Sequence, residues 1–81
     1  MQVEMTQRAT IALQKAEGEL KQGLAEVLHA FESGKALPVE QVRSSNSRPG
    51  VLVARIKDFR LFYQPGEGVI QVLDIVPRSE A

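Results

Sequence analysis

Val-Leu-Val-Ala-Arg-Ile-Lys-Asp-Phe-Arg-Leu-Phe-Tyr, residues 51–63, is the stretch whose reading decides the fold. β-Branched and aromatic residues dominate it, and Lys57 and Asp58 are the only turn formers inside it. A two-residue loop at Lys57-Asp58 sets Ile56 opposite Phe59, Arg55 opposite Arg60, Ala54 opposite Leu61 and Val53 opposite Phe62. Side chains alternate along a strand, so the hairpin has two unlike faces. Leu52, Ala54, Ile56, Phe59, Leu61 and Tyr63 form a core face. Val51, Val53, Arg55, Arg60 and Phe62 form the other. Like charges directly opposite repel, so an arginine pair kept there points to an anion, or else to two solvated side chains.

Working outward, Gln64-Pro65-Gly66-Glu67-Gly68 is a second turn. Val69–Val76 follows as a third strand, apolar on both parities, as suits an interior strand covered on both sides. Pro77 ends it. On the other side, Ser44–Gly50 is polar and turn-rich and reads as a mobile connection. Leu37, Val39 and Val42 are expected to pin the preceding linker to the core, with Pro38 opening one helical turn. Leu20, Leu24, Val27, Leu28 and Phe31 make a helical stripe, which Gly34 closes as a C′ glycine. Ala9, Ala12, Leu13 and Ala16 make an earlier one, with Thr6 as its N-cap. Gly18 separates the two stripes. The reading is two helices, and a single helix from Thr6 to Ser33 fits the periodicity as well. Residues 1–5 alternate as a short strand.

The predicted order is β-α-α-β-β-β, an α+β fold with a helical hairpin on one face of a small antiparallel sheet. The opposite face, with Arg55 and Arg60, is expected to stay open. At 81 residues the chain reads as a single domain, 1–81. It has no cysteine, which excludes disulfides, thiolate zinc sites and a Cys nucleophile. No metal-ligand spacing, phosphate loop or cofactor motif is present. No apolar run spans a bilayer and no secretory leader is visible, so the expected location is the cytoplasm, with no membrane partner. Net charge is zero but unevenly spread: residues 1–34 hold three bases and five acids, residues 35–81 seven and five. The positive excess therefore lies with the hairpin. His29, off the helical stripe and without a relay partner, reads as a surface residue.

Asp58-Phe59-Arg60-Leu61-Phe62-Tyr63, with Val42-Arg43-Ser44 before the sheet and Val69 to Arg78 after it, resembles the RelE/ParE superfamily. These are the toxins of bacterial type II toxin–antitoxin pairs. The resemblance implies a RelE-like activity, metal-independent cleavage of ribosome-bound mRNA, in which the RNA 2′-hydroxyl attacks the adjacent phosphate and basic side chains stabilise the charge. It implies that Arg60 contacts the scissile phosphate, that Arg78 is the arginine just after the last strand, and that Arg55 is a basic residue before the turn. It also implies an antitoxin partner, which would cover apolar surface such as Val51, Val53 and Phe62.

The chain departs from the pattern in three ways. Two lysines of RelE-like members fall at Val51 and Val53. Their C-terminal tyrosine has no counterpart before Ala81, and no general base is apparent. The departures keep two further readings open: a ParE-like toxin directed at DNA gyrase, and an inactive toxin-fold binding module.

Overall fold

The hairpin forms in the register that its side chains dictate. In the computed structural model, which describes residues 1–81, strand β3 (Leu52–Ile56) pairs with β4 (Phe59–Gly66) so that Arg55 opposes Arg60 and Ile56 opposes Phe59. Lys57 takes the left-handed backbone of the turn, φ 55°, a conformation that costs a non-glycine residue roughly 1 kcal/mol. Strand β5 (Val69–Pro77) lies antiparallel beside β4. Strand β1 (Gln2–Met5) pairs with β5 in parallel, and β2 (Val42–Ser44) pairs antiparallel with β3. The sheet is thus five-stranded and mixed, in the order β1-β5-β4-β3-β2. Two features go beyond the antiparallel meander of the sequence reading: the parallel seating of β1, and strand β2 in what reads as linker.

Two helices precede the meander, α1 (Gln7–Lys15) and α2 (Gly18–Ser33). Ala16 and Glu17 are extended and Gly18 is left-handed, φ 58°, so the single-helix alternative does not form. Thr6 caps α1: its hydroxyl accepts from the Ala9 N–H at 3.2 Å and donates to the Leu73 carbonyl at 2.6 Å. Gly34 closes α2 at φ 73°.

Both helices cover one face of the sheet. Ala9, Leu24, Val27 and Phe31 meet Ala54, Ile56, Leu61, Tyr63, Val72 and Ile75 in one apolar cluster. The Phe31 and Tyr63 rings lie 4.7 Å apart at 44°, a tilted contact worth about 0.5–1.5 kcal/mol beyond its buried area. Gly23 lets α2 approach β3; a Cβ there would stand 2.8 Å from Ile56 Cγ2.

The apolar character of β5 on both parities has a different cause from the one expected. Phe62 opposes Asp74 whereas Tyr63 opposes Val72, which leaves Leu73 as an extra residue. Such a bulge shifts the alternation by one. Val72 and Ile75, of opposite parity in sequence, therefore both enter the core. Val39 also departs from expectation. The 3₁₀ turn Val39–Gln41 lifts it into solvent at 88% exposure, while Leu37 and Val42 do pack on the core.

Candidate functional site

The second face of the sheet is a grid of side chains fixed by register. One row runs Arg43, Val53, Phe62, Asp74 across β2, β3, β4 and β5; the next runs Arg55, Arg60, Val76. This face is less open than the sequence reading expected. Val51 and Val53 are only 5% and 1% exposed, so neither is a bare apolar patch awaiting a partner. The 44–50 segment folds back beside β3: the Ser45 N–H donates to the Val51 carbonyl and the Val51 N–H to that of Arg48. Arg43, Arg55 and Arg60 surround Val53, and their alkyl stems can cover it while their charged ends stay wet.

Those three arginines line a basin of about 130 Å³ together with Glu40, Gln41 and Val42. Arg60 is held toward the turn, its Nη1 donating to the Phe59 carbonyl at 2.8 Å and to that of Lys57 at 3.2 Å. Arg55 leans the other way, Nη2 to the Glu40 carbonyl at 3.4 Å, and its own carbonyl accepts from Gln41 Nε2 at 2.8 Å. The opposed pair is thus held by backbone carbonyls at its two ends. The only ion pairs in the chain are Arg8–Asp74 and Lys57–Glu19. No carboxylate neutralises Arg43, Arg55 or Arg60. Each guanidinium offers five N–H donors in a planar fork suited to phosphate or carboxylate oxygens.

Of the three arginines singled out from the sequence, Arg55 and Arg60 come together here. Arg78 does not line the basin; it begins a 3₁₀ turn (Arg78–Glu80), and its N–H donates to the Asp58 carbonyl at 2.7 Å. Arg43 and Glu40 were missed as site residues. Arg43 arrives through the β2–β3 register and Glu40 through the 3₁₀ turn, and neither pairing has a local sequence signature. A second recess on this face is lined by Arg8, Arg48, Phe62 and Asp74 among others. His29 is exposed, away from both. No three His, Cys, Asp or Glu side chains come close enough to hold a metal ion.

On the helix face, Tyr63 is buried, which pushes its phenol above the usual value near 10. An apolar groove of about 400 Å³ opens there beside the 34–39 segment, between Phe31, Leu37, Val39, Leu52 and Ile70.

The sequence pattern of the ParE toxin of type II toxin–antitoxin systems (parDE) matches residues 4–81, nearly the whole chain. The chain belongs to this toxin family. Solved structures agree on the fold. A chain of the archaeal RelE–RelB complex from Pyrococcus horikoshii superimposes with a TM-score of 0.77 at 21% identity, covering 99% of the toxin and 97% of that chain. For the RelB–RelE antitoxin–toxin complex of Methanococcus jannaschii the TM-score is 0.79 at 8% identity, covering 95% and 92%. For the RelBE toxin–antitoxin complex of E. coli it is 0.70 at 17%, covering 94% of each. A search of curated proteins by sequence finds no significant match. No helix of the toxin is long and apolar enough to cross a membrane.

Proposed function

We propose that the toxin acts on translation by gripping the RNA backbone in the arginine basin, and that it cleaves RNA there as RelE-like toxins do. One observation carries this reading: three arginines line one basin and none is ion-paired. Each charge-assisted hydrogen bond to a phosphate oxygen is worth about 1.5–3 kcal/mol.

In this reading Arg43, Arg55 and Arg60 hold the scissile phosphate. The 2′-oxygen bonds to phosphorus, the bond to the 5′-oxygen breaks, and the products are a 2′,3′-cyclic phosphate and a 5′-hydroxyl. The guanidiniums meet the negative charge that grows on the phosphoryl oxygens, and losing one such donor costs about 10²–10³ in rate. Glu40, the one carboxylate lining the basin, takes the 2′-hydroxyl proton, and the departing 5′-oxygen takes its proton from water. Arg78 lies outside this set. The test is induction in growing cells with mapping of transcript ends. Growth arrest with cut mRNA is expected, and Arg60→Ala abolishes both. Arrest with intact transcripts refutes the reading.

A second reading, a gyrase-directed toxin without RNA chemistry, is favoured by the closure of Val51 and Val53, where RelE-like members place lysines. Its test is inhibition of supercoiling by the purified chain.

We also infer an antitoxin partner in the cytoplasm, since the relatives above were crystallised with theirs. The apolar groove beside Val39 offers it a seat, because eight of the ten residues lining it are hydrophobic. Co-expression of the neighbouring reading frame, with Val39→Glu to weaken the complex, checks this.

A further inference from the structure

Phe62 is unexplained by the packing of the chain. It stands on the face away from the helices and is no member of the core cluster, yet it is a large half-exposed aromatic in the middle of a sheet. Its neighbours across the sheet are Val53 and Asp74. Along β4, Arg60 lies two residues away on the same face, about 6.5–7 Å by strand rise. Phe62 lines the second recess, about 310 Å³ in volume, with Arg8, Arg48, Ser47, Asp74 and Glu80.

The recess lining itself is balanced, two arginines against two carboxylates, and the positive excess lies in the neighbouring basin with Arg43, Arg55 and Arg60. Arg8 Nη2 stands 3.2 Å from Asp74 Oδ2, so the recess acid nearest Phe62 is already neutralised. Arg48 has no carboxylate partner. The basin lies one row away on the same face, so the arginines that line it and the Phe62 ring are neighbours across the sheet.

We propose that this recess is a base-stacking subsite: the phosphate held by Arg43, Arg55 and Arg60 leaves the adjoining base of a single-stranded RNA lying on the ring of Phe62. The inference rests on the RNA-directed reading above. Bases in a duplex are already stacked, so the subsite selects unpaired RNA. Stacking tolerates any base, because every base has a π-face, and contributes about 1–3 kcal/mol by alanine substitution. Phe62 here is a binding residue, not a catalytic one.

The experiment is fluorescence anisotropy of the purified toxin with a short labelled single-stranded oligonucleotide carrying 2′-O-methyl sugars, which cannot be cleaved. A strand of the same length with every base removed keeps the phosphates alone. The toxin is expected to bind the complete strand about 5- to 150-fold more tightly than the abasic one. Phe62→Ala and the bulk-preserving Phe62→Leu bind both strands at the abasic level, while Phe62→Trp keeps the preference. Melting curves establish that the variants are folded. If Phe62→Leu keeps the full preference, or weakens both strands equally, the stacking subsite is refuted while salt-dependent binding leaves the phosphate grip standing. If the parent binds neither strand at low salt, the RNA-directed reading fails and this subsite with it.

Discussion

Placing a lysine at Val53, where RelE-like members carry one, is expected to destabilise the toxin strongly rather than to arm it. Val53 is 1% exposed, with Arg43 and Phe62 as its cross-strand neighbours and Arg55 two residues on. A lysine there has three courses. It can stay charged in a closed site, lose its proton, or thread its stem upward into the basin, where three guanidiniums repel it. Losing the proton sets the ceiling. For a side chain of ordinary pKa, about 10.4, neutralisation at pH 7 costs about 4.6 kcal/mol. Partial threading lowers this to about 3–4 kcal/mol. At roughly 0.05–0.15 kcal/mol per residue the whole chain has only about 4–12 kcal/mol to lose.

The pH dependence follows from linkage. The folded pKa of this lysine is depressed, so between that value and about 10.4 the unfolded chain binds more protons, and stability rises with pH by about 1.4 kcal/mol per unit. Urea denaturation of Val53→Lys at pH 7, 8 and 9, beside the parent, reads both quantities. A variant within 1 kcal/mol of the parent at pH 7 and flat with pH would refute the reasoning, since it would mean that the position opens freely to solvent.

Three further outcomes are expected. Gly23→Ala gains about 1 kcal/mol of helix propensity but forces a methyl to 2.8 Å from Ile56 Cγ2, so the net change is a loss of about 0–2 kcal/mol; in an Ile56→Ala background the same change turns stabilising, and a double-mutant cycle by denaturation reads the reversal. Burial raises the Tyr63 pKa, so stability falls as pH climbs above about 10 until the folded phenol also ionises. Tyr63 is the only tyrosine, so phenolate absorbance follows it directly, and Tyr63→Phe removes the fall. Arg55→Ala weakens RNA binding and lowers the slope of log affinity against log salt by about 0.7, read from a salt titration with any single-stranded sequence.

The hairpin was legible because its two faces differ in chemistry and only Lys57-Asp58 can turn, which fixes the register of Arg55 against Arg60. Thr6, Gly18 and Gly34 marked the helix ends for the same kind of local reason. The rest depends on partners far along the chain. Strand β2 is three residues long, too short for alternation to show. The extra residue at Leu73 has no side-chain signature, yet it turns Ile75 inward and Asp74 outward. The parallel seating of β1 was hidden because its partner lies more than sixty residues away. For the site, the arginine pair could be read from the sequence, whereas Arg43, Arg48 and Glu40 reach this face only through tertiary pairing. The closure of Val51 and Val53 was equally out of reach, since it comes from the return of the 44–50 segment.

The bond from Thr6 to Leu73 joins residues 67 positions apart. At about 5–20 residues per second of synthesis, the opening strand waits roughly 3–13 seconds for its neighbour to be made. Within that interval, once residue 33 is made and before β3 and β4 follow, the nascent toxin is a helical pair with a bare greasy stripe and no sheet to lay it on. The antitoxin proposed above, were it made at the same place, would meet this stripe before the sheet covers it.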